Sequence, residues 1–317
     1  MLINNSKYKT SLFLRNKHLH TVIPSLFFKH SLHYSSRERV DLPDTDFIDL
    51  DWLKNNNKKV VVLLHGLESS ADQFYIKHTA QYLTERGYDI VAINYRGCSG
   101  EPNRLYKGYH SGCSPDLDFI LSHINTTTDY KELYLAGFSL GGNILLKYLA
   151  EYKTPSNFVK AVVFSAPLDL KGTSLQLAST FGGIYQKHFL KKLNKKLIQK
   201  SHQFPDNISL AEINQLKTLV EFDNRYTAKA NGFKNAFDYY KKCSSKPLLK
   251  DIKAPVLIVN ALDDPFLPKS CYPFQELKEH KTIHFETPQY GGHLGFITSL
   301  KNQTCWYPQR IVEYFGK

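Results

Sequence analysis

The amino-acid sequence predicts an α/β fold, in which helices cover both faces of a mostly parallel sheet. Short runs rich in Val, Ile and Leu recur along the chain, and segments with helical spacing of apolar residues lie between them. Strands that are apolar throughout are typical of a parallel sheet buried on both faces. A chain of 317 residues can form one such sheet, with its functional residues just beyond the carboxyl ends of the strands.

The predicted strands and helices alternate along the chain. Each predicted strand is a run too short for a helix and too apolar for an exposed edge. The strands are expected at 59–64, 89–95, 132–136, 161–165, 255–260 and 281–286. The helices are expected at 73–86, 115–123, 143–151 and 306–315. The first of these helices stops at Gly87, a residue type typical of helix C-caps.

The predicted core is preceded by an N-terminal arm. Residues 1–58 are interpreted as an irregular arm that packs on the core, with an antiparallel hairpin expected from residues 31–34 and 46–50. The core itself is expected to comprise residues 59–169 and 254–317.

An insertion separates the two parts of the core. Residues 170–253 contain no convincing strand, and Leu190, Leu193 and Leu197 have helical spacing with lysines on the opposite face. Because the stretch is too long for a loop in a compact domain, we expect a helical cap inserted after the fourth strand.

Composition limits the classes of partner and location. The net charge of +12 comes from widely spread lysines and arginines, densest at 187–200, without zinc-finger spacing or an RNA-binding signature. We therefore expect a solvated basic surface, weak contact with an anionic membrane as an alternative, and no nucleic acid. The five cysteines form no CxxC pair, which argues against a disulfide framework or a zinc site. Without a signal peptide or a membrane-spanning run, a cytoplasmic location is expected.

A G-x-S-x-G motif lies between the third strand and the following helix, with Ser139 at its centre. A turn this tight crowds the positions two before and two after the serine, where Gly137 and Gly141 lack a Cβ. The turn would expose the Ser139 hydroxyl as a nucleophile. The alternatives are an ordinary glycine-rich turn with a capping serine, or a phosphate-binding loop, although no G-x-x-x-x-G-K-[ST] pattern is present.

A serine nucleophile needs a base and an acid that orients the base, in the chain order serine, acid, histidine. Asp263 and Asp264 follow the fifth strand, and His293 follows the sixth in a glycine-rich loop. Asp264 is favoured as the acid, and Asp263 would then cap the turn before Pro265. His284 is a weaker candidate for the base, because it lies within the strand run.

Two backbone amides are candidate donors to an oxyanion. The Leu140 amide follows the serine, and the Leu67 amide lies in the loop after the first central strand. His65 either supports this loop or is a core histidine. Arg96 is interpreted as a brace that binds backbone carbonyls, with anion binding as the alternative. Cys98 has no adjacent base and is not expected to be a nucleophile.

The chain resembles the YheT-like branch of the α/β-hydrolase superfamily. The matching segments are RNKHLHTVIPSLF, RERVDLPDTDFIDLDW, HGLESS, NYRGCSGEPNRLYKGYHSG, AGFSLGGNILLKYL, NALDDPFLP and GGHLGF, which extend over nearly the whole chain. The resemblance implies the α/β-hydrolase fold, a cap domain, a triad of Ser139, Asp264 and His293, and action on carboxylic esters. His20 stands where the family pattern leads us to expect Gln, and Leu294 where Val is common. Unlike several animal relatives of this family, the protein is expected to have no N-terminal membrane anchor.

Together these features predict a serine hydrolase that cleaves small-molecule or lipid esters of carboxylic acids. Such chemistry requires no metal and no organic cofactor. A thioesterase or a peptidase would use the same triad. A catalytically silent hydrolase fold that binds a ligand is the alternative from a different functional class.

Overall fold

The structure, a computed structural model, describes residues 1–3 and 6–316. Residues 4 and 5 of the predicted arm and residue 317 of the predicted core lie outside the described residues. The strands are β1 (Leu2–Ile3), β2 (Ser36–Asp41), β3 (Phe47–Leu53), β4 (Lys59–Leu64), β5 (Asp89–Asn94), β6 (Glu132–Phe138), β7 (Phe158–Phe164), β8 (Val256–Val259), β9 (Ile283–Glu286), β10 (Ile297–Ser299) and β11 (Thr304–Cys305).

The helices are α1 (Lys17–Phe27), α2 (Phe74–Thr84), α3 (Ser114–Thr127), α4 (Leu140–Glu151), α5 (Leu170–Ser179), α6 (Ile184–Gln203), α7 (Leu210–Gln215), α8 (Leu219–Phe222), α9 (Ala228–Ala230), α10 (Ala236–Cys243) and α11 (Tyr307–Phe315). Short 3-10 turns occur at Leu12–Leu14, Thr180–Gly183, Lys246–Asp251 and Lys269–Cys271, and a π-helical turn at Asp223–Thr227 joins α8 to α9.

Nine strands form one sheet in the order β1-β9-β8-β7-β6-β4-β5-β3-β2. Along the order β1-β9-β8-β7-β6-β4-β5, each strand pairs in parallel with its neighbour. Strand β3 then pairs with β5, and β2 with β3, in antiparallel orientation. A separate small hairpin joins β10 to β11. The carboxyl ends of the central parallel strands therefore meet at one edge of the sheet, where side chains from several loops can converge.

Both faces of the sheet are buried, as the apolar strand runs require. In β4, Val60 and Val62 face a core that α3 and α4 complete, and Val61 and Leu63 face a second core with α2 and α11. This alternation is the side-chain period of a strand. The predicted fold class, an α/β fold with helices on both faces of a mostly parallel sheet, is confirmed.

The six predicted core strands are all present, with shifted ends. The fourth strand begins at Phe158 rather than at 161, and the sixth begins at Ile283 rather than at 281. Helix α4 begins at Leu140, directly after the serine of the motif, rather than at 143. The two glycines after Leu140 hid this first turn, because glycine is a poor helix former in the absence of tertiary packing.

The predicted hairpin is wrong in its first strand. Residues 31–34 form no strand, and β2 and β3 pair with Arg37 opposite Asp51 and Arg39 opposite Asp49. Each arginine donates two hydrogen bonds to the carboxylate opposite it, at 2.7–2.9 Å. The residues that alternate along β2 are mostly charged, so a pattern of alternating apolar residues does not predict this strand.

The arm is also less irregular than predicted. Helix α1 occupies residues 17–27 despite Pro24 in its interior, and the Asn16 side chain caps it by accepting from the amides of His18 and Leu19. Strand β1 pairs in parallel with β9 and so adds an edge strand to the sheet. Proline and closely spaced polar residues concealed the helix from sequence reasoning.

Residues 170–253, which we call the helical segment, contain helices α5–α10. Every residue of this segment is described, and none of them lies in a strand. The helical segment has an apolar cluster of its own, formed by Leu190, Leu197, Ile208, Ile213, Leu216 and Phe222. None of the helices in the described part of the chain is both long enough and apolar enough to cross a membrane.

Arg96 is a buried cation at the centre of an acidic cluster. Its guanidinium donates to Asp116 at 2.7 Å, to Asp44 at 2.9 Å and to Asp46 at 3.1 Å. The side chain is 6% exposed, and Asp46 is fully buried. The prediction that Arg96 braces loops is correct in its role but wrong in its partners, which are carboxylates rather than backbone carbonyls.

We expect Arg96→Met to destabilise the fold by about 3–5 kcal/mol, because it leaves buried carboxylates without their cation. Arg104→Met is the matched control, since Arg104 pairs with Asp41 at the surface and such pairs contribute about 1 kcal/mol or less. Urea unfolding followed by circular dichroism measures both. Equal losses for the two variants would contradict a structural role specific to Arg96.

Candidate active site

Ser139 lies in the turn between β6 and α4 with a strained backbone. Its φ of 51° and ψ of −121° are outside the regions that residues with a side chain normally adopt. The Ser139 amide donates to the carbonyl of Phe164 on the neighbouring strand at 2.9 Å. Strain of this kind persists where the surroundings fix the backbone and is concentrated at functional sites.

The glycines on either side explain why this turn can form. A Cβ at Gly137 would lie 2.8 Å from the carbonyl oxygen of Gly141, and a Cβ at Gly141 would lie 2.5 Å from the carbonyl oxygens of Leu64 and His65. Both distances are far below van der Waals contact. The sequence argument for glycine at these two positions therefore has a direct steric basis in the fold.

The structure brings Ser139, His293 and Asp264 together in one hydrogen-bonded chain. His293 Nε2 lies 2.9 Å from Ser139 Oγ, and His293 Nδ1 lies 2.9 Å from Asp264 Oδ2. A carboxylate can only accept, so Nδ1 donates to Asp264 and Nε2 is left to accept from the Ser139 hydroxyl. All three side chains lie at the carboxyl edge of the sheet, and Phe266 stacks on the His293 ring at 4.0 Å.

Asp263 has a different place from the one predicted. Its carboxylate accepts from the Gly292 amide at 2.9 Å, so it supports the histidine loop. The capping role expected of Asp263 belongs to Asp264, whose Oδ1 accepts from the Phe266 amide at 2.9 Å. Burial raises the pKa of Asp263 to about 6, although the hydrogen bond from Gly292 opposes this shift.

Helix α1 holds the histidine loop, which sequence reasoning did not foresee. The His293 amide donates to Thr21 Oγ1 at 2.9 Å, and the Ile297 amide donates to His20 Nε2 at 3.1 Å. The Tyr8 hydroxyl lies 2.9 Å from the same nitrogen. The one available signal was His20 itself, a polar residue of unexplained function at a position that is fully buried in the fold.

The glycines beside His293 permit close contact with α1. A Cβ at Gly295 would lie 2.2 Å from the carbonyl oxygen of His20, and a Cβ at Gly292 would lie 2.8 Å from Thr21 Oγ1. These glycines let the loop pack against the N-terminal helix, and the loop so held carries His293 beside Ser139.

The loop after β4 passes directly beside the serine. A Cβ at Gly66 would lie 3.2 Å from Ser139 Cβ, and the Gly66 amide donates to the Tyr75 hydroxyl at 2.8 Å. Within the described part of the chain, neither the Leu67 amide nor the Leu140 amide donates to another protein atom. Both amides therefore lack an acceptor among the described residues.

His65 supports this loop from the core. Its Nδ1 lies 2.8 Å from the Gly66 carbonyl oxygen, and the Tyr95 amide donates to its Nε2 at 3.4 Å. Burial lowers the pKa of His65 to about 3, so the ring is neutral near pH 7. The proton of the neutral ring is then on Nδ1, which donates a hydrogen bond to the Gly66 carbonyl oxygen. His65 therefore supports the loop and adds no charge to it.

Two cavities meet at Ser139 and His293. One extends under the helical segment and has apolar walls formed by Leu140, Leu177, Leu193, Leu197, Leu219 and Phe222. The other opens beside α1, between Leu26 on that helix and Ile184, His188 and Lys192 on α6. The site is therefore reached from two sides. The cavity under the helical segment combines apolar walls with charged side chains, among them Glu68 and Lys196, and the cavity beside α1 is lined by Lys192 among mostly apolar residues.

Cys98 and His284 do not belong to the hydrogen-bonded chain. Burial raises the pKa of the Cys98 thiol to about 11, so it is not a thiolate near pH 7. His284 lies on β9, with its ring 5.8 Å from that of Tyr314. Neither residue has the geometry of a nucleophile or base at this site.

Comparison with known proteins identifies a family model, relatives and solved structures to which the chain is similar. A family model described as the α/β-hydrolase fold matches residues 59–300. YheT of Escherichia coli is 34% identical over 306 residues, which are 94% of this chain and 90% of YheT. Phospholipase ABHD3 of mouse is 28% identical over 302 residues, covering 92% of this chain and 73% of that protein. The solved structure of the esterase Pf2001 of Pyrococcus furiosus superposes with a TM-score of 0.59 and 15% identity, covering 90% of this chain and 93% of Pf2001.

The support of the histidine loop by His20 predicts sensitivity to acid. Burial lowers the pKa of His20 to about 4 from its ordinary 6.5, so between these values the unfolded chain takes up a proton that the folded chain does not. Stability must then fall as the pH decreases from 6.5 to 4.

In the variant His20→Gln the unfolded chain has no imidazole at this position to take up the proton. We therefore expect the pH slope of the unfolding free energy to decrease by at most about 1.4 kcal/mol per pH unit. Urea unfolding at several pH values in this window measures the slope. A slope identical to that of the wild type would show that His20 does not contribute.

Proposed function

Because the chain belongs to the α/β-hydrolase fold family, we propose that it is a serine hydrolase that cleaves carboxylic esters through an acyl-enzyme on Ser139. The observation that carries this proposal is the chain of hydrogen bonds from Asp264 through His293 to Ser139. The names of similar proteins, an esterase and a phospholipase, support ester bonds as the point of attack.

The first step forms the acyl-enzyme. His293 Nε2 takes the proton of the Ser139 hydroxyl as Oγ attacks the ester carbonyl carbon, and Asp264 stabilises the imidazolium that results. The carbonyl oxygen becomes negatively charged and accepts from the Leu67 and Leu140 amides. Such a pair of donors is worth several kcal/mol in the transition state, since each one typically contributes about 3 kcal/mol.

The first step ends when His293 gives its proton to the departing alcohol and the bond between that oxygen and the carbonyl carbon breaks. In the second step His293 takes a proton from water as the water oxygen attacks the acyl carbon. His293 then returns this proton to Ser139 Oγ as the bond between Oγ and the acyl carbon breaks, which releases the acid. The residues of this chain carry out each proton transfer, and Phe266 keeps the imidazole ring in one plane by stacking on it.

The helical segment acts as a cap in this proposal and selects the substrate. Leu140, an oxyanion donor, lines the apolar cavity, so we assign that cavity to the acyl chain. The cavity beside α1 then receives the leaving group. Small-molecule and lipid esters both fit this arrangement, and a thioester or an activated amide would enter by the same route.

The proposal predicts that a fluorophosphonate probe labels the wild type and that p-nitrophenyl esters are hydrolysed. Ser139→Ala should lose labelling completely and lose hydrolysis by about 10³-fold or more. Intact-mass spectrometry locates the label. Labelling that persists in Ser139→Ala would exclude Ser139 as the nucleophile, and a wild type inert to both reagents would favour a silent ligand-binding protein.

Two neighbouring aspartates provide a matched comparison in the same assay. Asp264→Asn should reduce kcat by about 10³- to 10⁴-fold, because the amide favours the wrong histidine tautomer. Asp263→Asn should have a far smaller effect, since within the described residues the Asp263 side chain has its hydrogen bond with the loop backbone and none with His293. The opposite order would assign the acid to Asp263.

We further propose that the mouth beside α1 makes weak contact with an anionic membrane surface. Leu26, Phe181 and Ile184 are 61%, 54% and 53% exposed around this mouth, and Phe181 stacks on His18 of α1 at 4.6 Å. Exposed lysines accompany them on α6, namely Lys187, Lys191, Lys192 and Lys195. Apolar side chains ringed by cations are the pattern of an interfacial surface.

Vesicle flotation tests this contact. The wild type should float with vesicles that contain phosphatidylglycerol and should not float with pure phosphatidylcholine, because anionic lipid attracts the lysines. Lys187→Gln/Lys191→Gln should reduce flotation, whereas Lys58→Gln/Lys131→Gln, at the opposite end of the sheet, should not. Absence of flotation with both lipids would end the membrane proposal without affecting the esterase proposal.

A further inference from the structure

Glu68 is a buried carboxylate in the loop that carries one oxyanion donor. It follows Leu67 directly, its side chain is 2% exposed, and its φ of 50° is unusual for a residue other than glycine. The Glu68 amide donates to the Tyr109 hydroxyl at 2.8 Å, and this hydroxyl donates to Glu68 Oε1, also at 2.8 Å. The carboxylate and the backbone of this loop are therefore held together by one tyrosine.

The counter-charge of Glu68 comes from the helical segment. Lys196 Nζ, on α6, donates to Glu68 Oε1 at 3.2 Å and lies 3.2 Å from Cys98 Sγ. Within residues 1–3 and 6–316, Lys196 is the one cation that forms an ion pair with Glu68. The two residues are 128 positions apart in the chain, so the pair ties α6 to the oxyanion loop.

The ion pair between Glu68 and Lys196 lies where its charges can affect the proposed reaction. Glu68 and Lys196 line the same apolar cavity as Ser139 and Leu140. Negative charge develops on the substrate oxygen in this cavity, where poor solvation strengthens every electrostatic interaction. An unpaired carboxylate here would repel the oxyanion, whereas a paired one leaves the loop nearly neutral.

We propose that Lys196 neutralises the Glu68 carboxylate and thereby makes the oxyanion site depend on the position of α6. This inference rests on the esterase function proposed above. Lys196 is a positioning residue, since it acts on the reacting atoms through Glu68 and the Leu67 loop. With α6 displaced, Glu68 regains an uncompensated charge and the site loses its ability to stabilise the oxyanion.

The proposal has a kinetic signature that distinguishes it from packing. The oxyanion is common to every ester, so loss of Lys196 lowers kcat by a similar factor for short and long acyl chains. Substrate binding in the ground state involves no such charge, so KM changes little. A side chain that merely packs against the acyl group would instead raise KM, and more for longer chains.

The experiment compares Lys196→Met with the wild type on p-nitrophenyl acetate, butyrate and octanoate. We expect kcat to fall by about tenfold to a hundredfold on all three esters, less than the loss of a direct oxyanion donor. Lys241→Met, on α10 of the same helical segment but exposed, is the control and should remain within twofold of the wild type, about the scatter of surface changes. Thermal unfolding of each variant shows that it is folded.

The double variant Glu68→Gln/Lys196→Met is the deciding measurement. It removes both charges, so kcat should recover most of what Lys196→Met alone loses. Failure to recover, a kcat unchanged in Lys196→Met, or a KM effect that grows with acyl length would each overturn the inference while leaving the esterase proposal intact. A wild type inert towards these esters and towards the fluorophosphonate would instead overturn both.

Discussion

The tight turn at Ser139 is the constraint on which the rest of the site depends. Its backbone can adopt a φ of 51° only because the chain packs closely on both sides, with Gly141 against the end of β4. The contact atoms there are the carbonyl oxygens of Leu64 and His65, which begin the loop to Leu67. One steric constraint thus sets the proposed nucleophile and the proposed oxyanion loop in a fixed relation to each other.

The proposed base, His293, is held in place by contacts between distant parts of the chain. The sheet supplies Ser139 and Asp264 at strand ends, but the loop that carries His293 has little regular structure of its own. Helix α1 replaces that support through Thr21 and His20, and Asp263 adds a bond to Gly292. The N-terminal region is consequently part of the site, although it lies outside the span that the family model matches.

These two principles explain what could be predicted from the sequence. The central strands were found because a strand buried on both faces is a continuous apolar run, and Ser139 and His293 were singled out because they follow such strands. Strand β2 was missed because its alternation is one of charges, and α1 was missed because of Pro24. The contact between Thr21 and His293 joins residues 272 positions apart, and no local pattern in the sequence contains it.

The helical segment adds a dependence that the core alone does not have. Its leucines line the cavity that we assign to the acyl chain, and Lys196 forms the ion pair with Glu68. Both proposed functions lie on α6, but they would act on different quantities, since the cavity wall would affect substrate binding and the ion pair would affect the transition state. The leucines on this helix can therefore change to suit another acyl chain without loss of rate, provided that Lys196 continues to reach Glu68.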